Sequence, residues 1–343
     1  MANVTLGVIV GNRDFFPDRL VTEARADILK LFKEMDIEAI ILDENATKLG
    51  GVETWTHAKI CADLFKKNVE RIDGILVTLP NFGDEKGVAD TIKLSGLNVP
   101  ILVQAYPDDL NQLSVERRRD GFCGKISVCN DLRQYGYAFS LTDLHTVHPL
   151  TDSFKADLAK FAGICRVVKG LKNARFGAIG ARPGNFNTMR YSEKMLQSFG
   201  MSVVTVDLSE ILGNANRLTD SDARVVEKLA EIRAYAKSDS VPSPSLVRMA
   251  KMGITISDWM QQYDLNASAI QCWTSLQQNF GINVCTLMSM MSDKLMPSAC
   301  EVDITGVASM YALQLASGSP SALVDWNNNY AGDPDKCVLF HCG

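Results

Sequence analysis

Three stretches decide the fold of this chain: Thr5-Leu6-Gly7-Val8-Ile9-Val10, Ile72-Asp73-Gly74-Ile75-Leu76-Val77-Thr78-Leu79 and Pro100-Ile101-Leu102-Val103-Gln104. Each is a short run rich in β-branched residues, without the apolar–polar alternation of a half-exposed strand. Such runs suit strands buried on both faces, as parallel strands are. A fourth strand is expected at residues 37–42. Helical spacing fills the gaps: residues 22–34, through Ala26, Ile28, Leu29, Leu31 and Phe32, then residues 55–68 and 87–94. The order β-α-β-α-β-α-β implies a parallel, doubly wound sheet with helices on both faces. Ligands of such sheets sit beyond the carboxyl ends of the strands. The loops Gly11-Asn12-Arg13, Pro80-Asn81-Phe82-Gly83-Asp84-Glu85 and Ala105-Tyr106-Pro107-Asp108 lie on that edge.

The pattern breaks near Thr146-Val147-His148-Pro149, and a long amphipathic helix at residues 153–171 follows. Alternation then resumes. Strands are expected at 176–180, 202–208 and 267–272, with helices at 187–199, 229–237, 245–263, 286–293 and 304–316. Short strands are expected at 322–325 and 337–341. The reading is α/β: two doubly wound, Rossmann-like parallel-sheet domains at residues 1–148 and 149–330. Residues 331–343 would begin a β-rich C-terminal domain that continues past the end of the sequence.

A length of 343 residues favours two domains over one core, and 46% hydrophobic with 22% charged residues is a globular balance. A net charge of -5 and no basic block longer than Arg117-Arg118-Arg119 argue against a nucleic-acid partner. No apolar run approaches the roughly 20 residues of a membrane span. The N-terminus reads as a strand, not a signal peptide. The nine cysteines are irregularly spaced and include no C-x-x-C pair, which suits free thiols in a reducing cytoplasm. Cys337, His341 and Cys342 offer a partial zinc set that lacks a matching second pair.

The C-terminal segment carries the chemistry. Glu301 and Asp325 each follow a short apolar approach, and a carboxylate at the end of a buried strand needs a cation, a donor or a proton. Two of them from neighbouring strands, with a His nearby, can hold a hard divalent metal; the plainer reading is two surface acids flanking strands. Gly177-x-x-Gly180-x-x-x-Gly184 lacks the glycine spacing of a dinucleotide fingerprint, which disfavours a nicotinamide-linked oxidoreductase. Arg182 in that loop is either an anion or sugar-hydroxyl contact or a surface charge. Arg13, beside Phe15 and Phe16, suits a ligand edge or an interface, unless the Phe pair is tucked into local core. Gln271 and Trp273 can donate to and stack on a sugar, although a structural Trp is commoner. His57, His145 and His148 read as structural.

Taken in order, the Arg13 loop, Asn81-Phe82-Gly83, Gly180-Ala181-Arg182-Pro183, Gln271-Cys272-Trp273, Met288-Ser289-Met290, Ala299-Cys300-Glu301-Val302-Asp303 and Asp325 resemble the L-fucose/L-arabinose isomerase superfamily, nearest its fucose isomerase-like branch. The resemblance implies interconversion of an aldose and a ketose with Mn²⁺, or with Co²⁺ or Mg²⁺. A metal on O1 and O2 would acidify the C–H and stabilise an enediolate. It implies Glu301 and Asp325 as metal ligands and acid/base groups, with His341 as a further metal candidate. Arg13, Phe82, Gln271, Trp273 and Arg182 become substrate contacts. It also implies a trimer, tetramer or hexamer in which the Arg13 and Phe82 loops reach a neighbouring subunit's site. The sugar stays open among fucose, arabinose and a C6-modified hexose. The alternative from another class is a non-catalytic, two-lobed sugar-binding protein.

Overall fold

The computed structural model describes residues 4–114 and 116–341. The chain divides into two compact units, Met1–Lys169 and Gly170–Gly343.

The first unit runs β1 (Thr5–Val10), α1 (Arg19–Glu34), β2 (Glu38–Ile41), α2 (Trp55–Lys67), β3 (Gly74–Leu79), α3 (Glu85–Ser95), β4 (Ile101–Ala105), α4 (Gly121–Gln134), β5 (Ser140–Leu141) and α5 (Asp152–Leu171). Its sheet is parallel throughout, in the order β2-β1-β3-β4-β5. The apolar runs are unbroken because both faces are covered. Leu6, Val8 and Val10 of β1 pack with Val21, Ile28 and Phe32 of α1. Ile9 joins Phe65 of α2, Val88 and Ile92 of α3 and Val128 of α4 on the other face. The chain winds one way from β1 to β2 and the other way from β3 onward. The crevice at that reversal lies between the carboxyl ends of β1 and β3.

Helix α3 starts where the sequence asks it to. Asp84 accepts a 2.6 Å hydrogen bond from the Gly87 N–H, with Glu85 in the first turn. Asp84→Ala is expected to lower unfolding stability by about 1 kcal/mol in urea denaturation, since it strips one cap from one helix.

The helix from residue 152 reads from sequence as part of the second domain. Its buried stripe, Phe154, Leu158, Phe161 and Cys165, instead packs in the core of the first sheet. Gly74 of β3 makes room for it: a Cβ there would stand 2.5 Å from Cys165 Sγ. The break therefore falls after residue 169 rather than after 148. Helix α4 and strand β5 were not expected.

The second unit runs β6 (Arg175–Ile179), α6 (Glu193–Ser198), β7 (Ser202–Val206), α7 (Leu208–Arg217), α8 (Ala223–Tyr235), α9 (Ser243–Gln262), β8 (Ala267–Ile270), α10 (Cys285–Asp293), β9 (Ser298–Cys300), α11 (Ile304–Ser317), β10 (Asp325–Tyr330) and β11 (Asp333–Phe340). Strands β7-β6-β8-β9 form a second parallel sheet with the same reversal of winding. Phe176 and Ala178 face Val307 and Met310 of α11, while Ile179 faces the helices on the opposite side. The helix expected at 187–199 is a short turn followed by the brief α6. The strand expected at 322–325 is also different: Asp325 opens β10 rather than closing a strand, and β10 pairs antiparallel with β11.

Among the described residues no helix is long and apolar enough to cross a membrane. Cys61, Cys123, Cys129, Cys165, Cys272, Cys285, Cys300 and Cys337 are free thiols. Burial pushes the Cys61 and Cys165 thiols up to about 12, so both are inert core fillers. Cys342, part of the zinc set considered from sequence, lies outside the described residues.

Candidate metal and active site

The carboxyl edge of the second sheet gathers the reactive groups. Strands β8 and β9 run side by side with Ile270 opposite Cys300. Residues just past those strand ends therefore meet, and they are Cys272 and Glu301. One ligand atom each from Cys272, Cys300 and Glu301 lie within 4.8 Å of one another.

The backbone turns hard at this point. Glu301 has φ 61 and Val302 φ 57, two successive left-handed residues without a glycine. That conformation is rare for any side chain and most so for a β-branched one; each such residue costs on the order of 1–3 kcal/mol. Burial of Val302 among Ala178, Ala299 and Val307 offsets it. Asp303 then caps α11, accepting from the Gly306 N–H at 2.7 Å and the Thr305 hydroxyl at 2.9 Å. In Cys300-Glu301-Val302-Asp303, the second acid is thus a helix cap and Glu301 is the one aimed outward.

The β10–β11 hairpin carries Asp325, which is exposed, and His341, and neither is among the ligand atoms that converge within 4.8 Å. Asp325 pairs with Phe340 at its open end, and His341 follows directly. His341 Nε2 lies 3.2 Å from Cys300 Sγ. The Glu301 carboxyl is held above the usual carboxylate range, first by burial, then by the negative charges of Asp325 and Asp303. The charge of Asp325 therefore reaches Glu301 through space. Asp325→Asn should let Glu301 ionise at lower pH, because a like charge that opposes ionisation is gone. A pH titration of the Glu301 carboxyl by NMR in metal-free protein reads this, and an unmoved midpoint refutes the pairing.

The thiols are linked as well. The Cys272 thiol is held below its ordinary value by its hydrogen bond with Cys300 and by the Glu301 backbone N–H, against burial. Cys300 is pushed up by the same bond, by burial and by the neighbouring negative charges. A cavity of about 520 Å³ opens beside them, lined by Cys285, Met288, Cys300, Leu323, Val324 and His341.

Gln271 and Trp273 sit on a neighbouring part of the edge. Gln271 Oε1 accepts from the Ala181 N–H at 2.9 Å, and its Nε2 donates to the Trp273 carbonyl. Trp273 is half-exposed and packs against Phe186, 5.7 Å between ring centroids. The Arg182 guanidinium donates to the carbonyls of Pro183, Gly184 and Phe186, clamping its own loop.

In the first unit, Arg13 and Phe82 do meet, at the crevice between β1 and β3. The Arg13 guanidinium lies 4.3 Å above the Phe82 ring, donates to the Gly83 carbonyl at 2.9 Å and pairs with Glu85. Beneath them Asn81 donates to Asn12 at 2.5 Å, and Asn12 donates to Glu53. Both asparagines are fully buried. Of the Phe pair, Phe16 is buried and Phe15 exposed. His145 stacks on Phe122, and His148 contacts Tyr106 and Asp27.

Sequence reading missed Glu53, and treated Asn12, Cys272 and Cys300 only as parts of loops or motifs. A signal existed: each except Glu53 lies at or just past a parallel strand's carboxyl end.

Comparison with known proteins places these observations. Residues 7–172 match the family model described as fucose/sulfoquinovose isomerase, N-terminal domain. A sulfoquinovose isomerase from Clostridium sp. (strain MSTE9) is 23% identical over 243 residues, 66% of this chain and 50% of that protein. One from Priestia aryabhattai is 22% identical over 277 residues, 80% of this chain and 59% of that protein. One from Alkalicoccus urumqiensis is 26% identical over 181 residues, 51% and 40% of the two. The chain spans about half the length of these curated relatives. A periplasmic solute-binding protein of an ABC transporter from Actinobacillus succinogenes 130z, solved with bound D-allose, aligns over 99% of this chain and 98% of its own at 9% identity. Its TM-score of 0.22 carries no structural argument. Over residues 7–172 the chain is thus similar to the N-terminal domain of the fucose/sulfoquinovose isomerases.

Proposed function

We propose that this protein contributes to an aldose–ketose isomerase acting on an open-chain sugar, with Glu301 and Asp325 as its acid/base pair. One observation supports this most: the Glu301 carboxyl, at a sheet edge, is held above the usual carboxylate range first by burial and then by the charge of Asp325, an acid distant in sequence. A partly buried carboxyl of raised proton affinity beside a second acid suits proton transfer between adjacent carbons.

Carboxylates of Glu301 and Asp325 with the His341 imidazole suit Mn²⁺, and also Co²⁺ or Mg²⁺; the adjacent thiols of Cys272 and Cys300 lie outside a hard ion's preference. When bound, the cation would supply Lewis-acid polarisation of the sugar's vicinal oxygens. The chain's own groups do the rest. In its ionised form Glu301 removes the C2 proton of the open-chain aldose and returns it to C1. Its partial burial lifts its proton affinity toward that task. The turn at Glu301–Val302 fixes the carboxylate's direction. Trp273, half-exposed on the same edge, offers an indole face to a sugar's C–H groups, while the Gln271 amide braces that loop through Ala181 and the Trp273 carbonyl.

The names of the relatives favour a sulfonated, C6-modified hexose over fucose or arabinose. The family likeness favours a homo-oligomer in a cytoplasmic setting. The two-lobed binding protein is disfavoured, since a passive binder has no use for opposed carboxylates. The test is incubation of the protein with sulfoquinovose, L-fucose or L-arabinose and Mn²⁺, following ketose formation. Conversion of sulfoquinovose first among them is expected; no conversion of any sugar at any divalent metal rejects the reading. Mn²⁺ alone should also raise the thermal midpoint. At a concentration of about 100 times Kd it would add about 2.7 kcal/mol, and an unmoved midpoint argues against the metal.

A further inference from the structure

We propose that Cys272, Cys300, Glu301 and His341 form a binding site for a thiophilic divalent cation of the Zn²⁺ class, sharing Glu301 with the isomerase site. Three of the four donors are already assembled. Cys272, Cys300 and Glu301 converge within 4.8 Å, and His341 Nε2 stands 3.2 Å from Cys300 Sγ. Tetrahedral zinc, with bonds of about 2.0–2.3 Å, sets its ligands roughly 3.3–3.8 Å apart. Cys272, Cys300 and Glu301 already converge near that spacing, and His341, outside that cluster but against Cys300, would rotate in to close the fourth position.

The positions are held from several directions. Cys272 lies past β8, Cys300 ends β9 in register with Ile270, and the left-handed turn carries Glu301 over. The hairpin delivers His341 from the other side of the sequence. Cys272 is buried, and Cys300, Glu301 and His341 are partly so, which limits competition from water. Two sulfurs, an imidazole nitrogen and a carboxylate oxygen are a donor set that zinc prefers and that Mn²⁺ does not. On ligation each thiol releases its proton to solvent, and no oxidant or reductant is needed.

The consequence for catalysis rests on the function proposed above. A Zn²⁺ ion held by the thiols would occupy Glu301 and stop proton transfer. Binding itself does not depend on that reading.

The experiment titrates reduced, metal-free protein with Zn²⁺ against a chromophoric chelator, and repeats it with Co²⁺ to read sulfur-to-cobalt charge transfer in the near ultraviolet. The wild type should bind one ion at this site and show the band. The double variant Cys272→Ser/Cys300→Ser should lose the band and weaken binding by at least about a hundredfold, given that even supporting residues are worth 10–100-fold. Its metal-free thermal midpoint and circular dichroism check that it folds. His341→Asn, away from the sheet, should weaken binding with the band retained. Equal Zn²⁺ affinity in wild type and double variant overturns the proposal, as does the absence of a charge-transfer band in the wild type. So does loss of the two thiols to a disulfide with no ion retained. If Zn²⁺ binds but saturating Zn²⁺ leaves Mn²⁺-supported turnover intact, the cation site stands and the catalytic assignment of Glu301 falls.

Discussion

Glu301→Gln is expected to lower kcat for sugar isomerisation by about 10²–10⁴-fold, the range over which positioned acid/base groups contribute. The substitution keeps the size and shape of the side chain but removes its ability to take a proton. It also removes one partner of the mutual repulsion with Asp325, so the fold should not suffer. Glu301 is only partly buried and sits at the end of β9 rather than inside the sheet. Steady-state assays with Mn²⁺ present, alongside a thermal melt, read both halves of the expectation. Near-native turnover in a folded variant would remove Glu301 from the chemistry.

The largest expected structural effect comes from Gly124→Ala in the first unit. Gly124 lies in the first turn of α4 and faces the backbone of Phe82. A Cβ there would stand 1.8 Å from the Phe82 carbonyl oxygen and 2.8 Å from its Cα. Neither atom belongs to a flexible side chain, so α4 or the loop must move. Overpacking of this kind destabilises by about 1–3 kcal/mol. The loop that shifts carries the Phe82 ring under Arg13 and the Gly83 carbonyl that Arg13 binds. Urea denaturation should show the loss, and a change within about 0.5 kcal/mol, the range of an inconsequential surface change, would mean the contact yields more easily than its geometry implies.

Much of the architecture was legible because burial on both faces leaves a crude signal. The runs around Val8, Leu76 and Val103 have no polar alternation, and they are the central strands of the first sheet. What stayed hidden had no such signal. Helix α4 begins Gly121-Phe122-Cys123-Gly124, two poor helix formers in its first turn, placed there for close backbone approach rather than helix propensity. Strand β10, Asp325-Trp326-Asn327-Asn328-Asn329-Tyr330, is exposed along its whole length and carries no apolar face to detect. The hydrophobic stripe of α5 was plain, but a stripe does not name the sheet it covers.

The candidate site divides the same way. Glu301 and Asp325 were findable as acids beside apolar segments, and the Arg13–Phe82 pairing follows from β1 and β3 lying side by side. Cys272 and Cys300 are unremarkable thiols until the strand order sets β8 against β9. Arg182 looked free to meet a ligand, yet three carbonyls of its own loop take its donors. Local carbonyl demand is a property of a folded loop, and no spacing rule reveals it.

The isopropyl group of Val302 acts as a tether. Its anchorage beside Ala178, Ala299 and Val307 drags the preceding residue over the lip of the sheet and so sets where a carboxylate points. Trimming any of those small hydrocarbon neighbours would let the lip relax, and the acid would swing without itself being altered. Any chemical demand on the rim thus reaches down into hydrocarbon that no ligand there would meet.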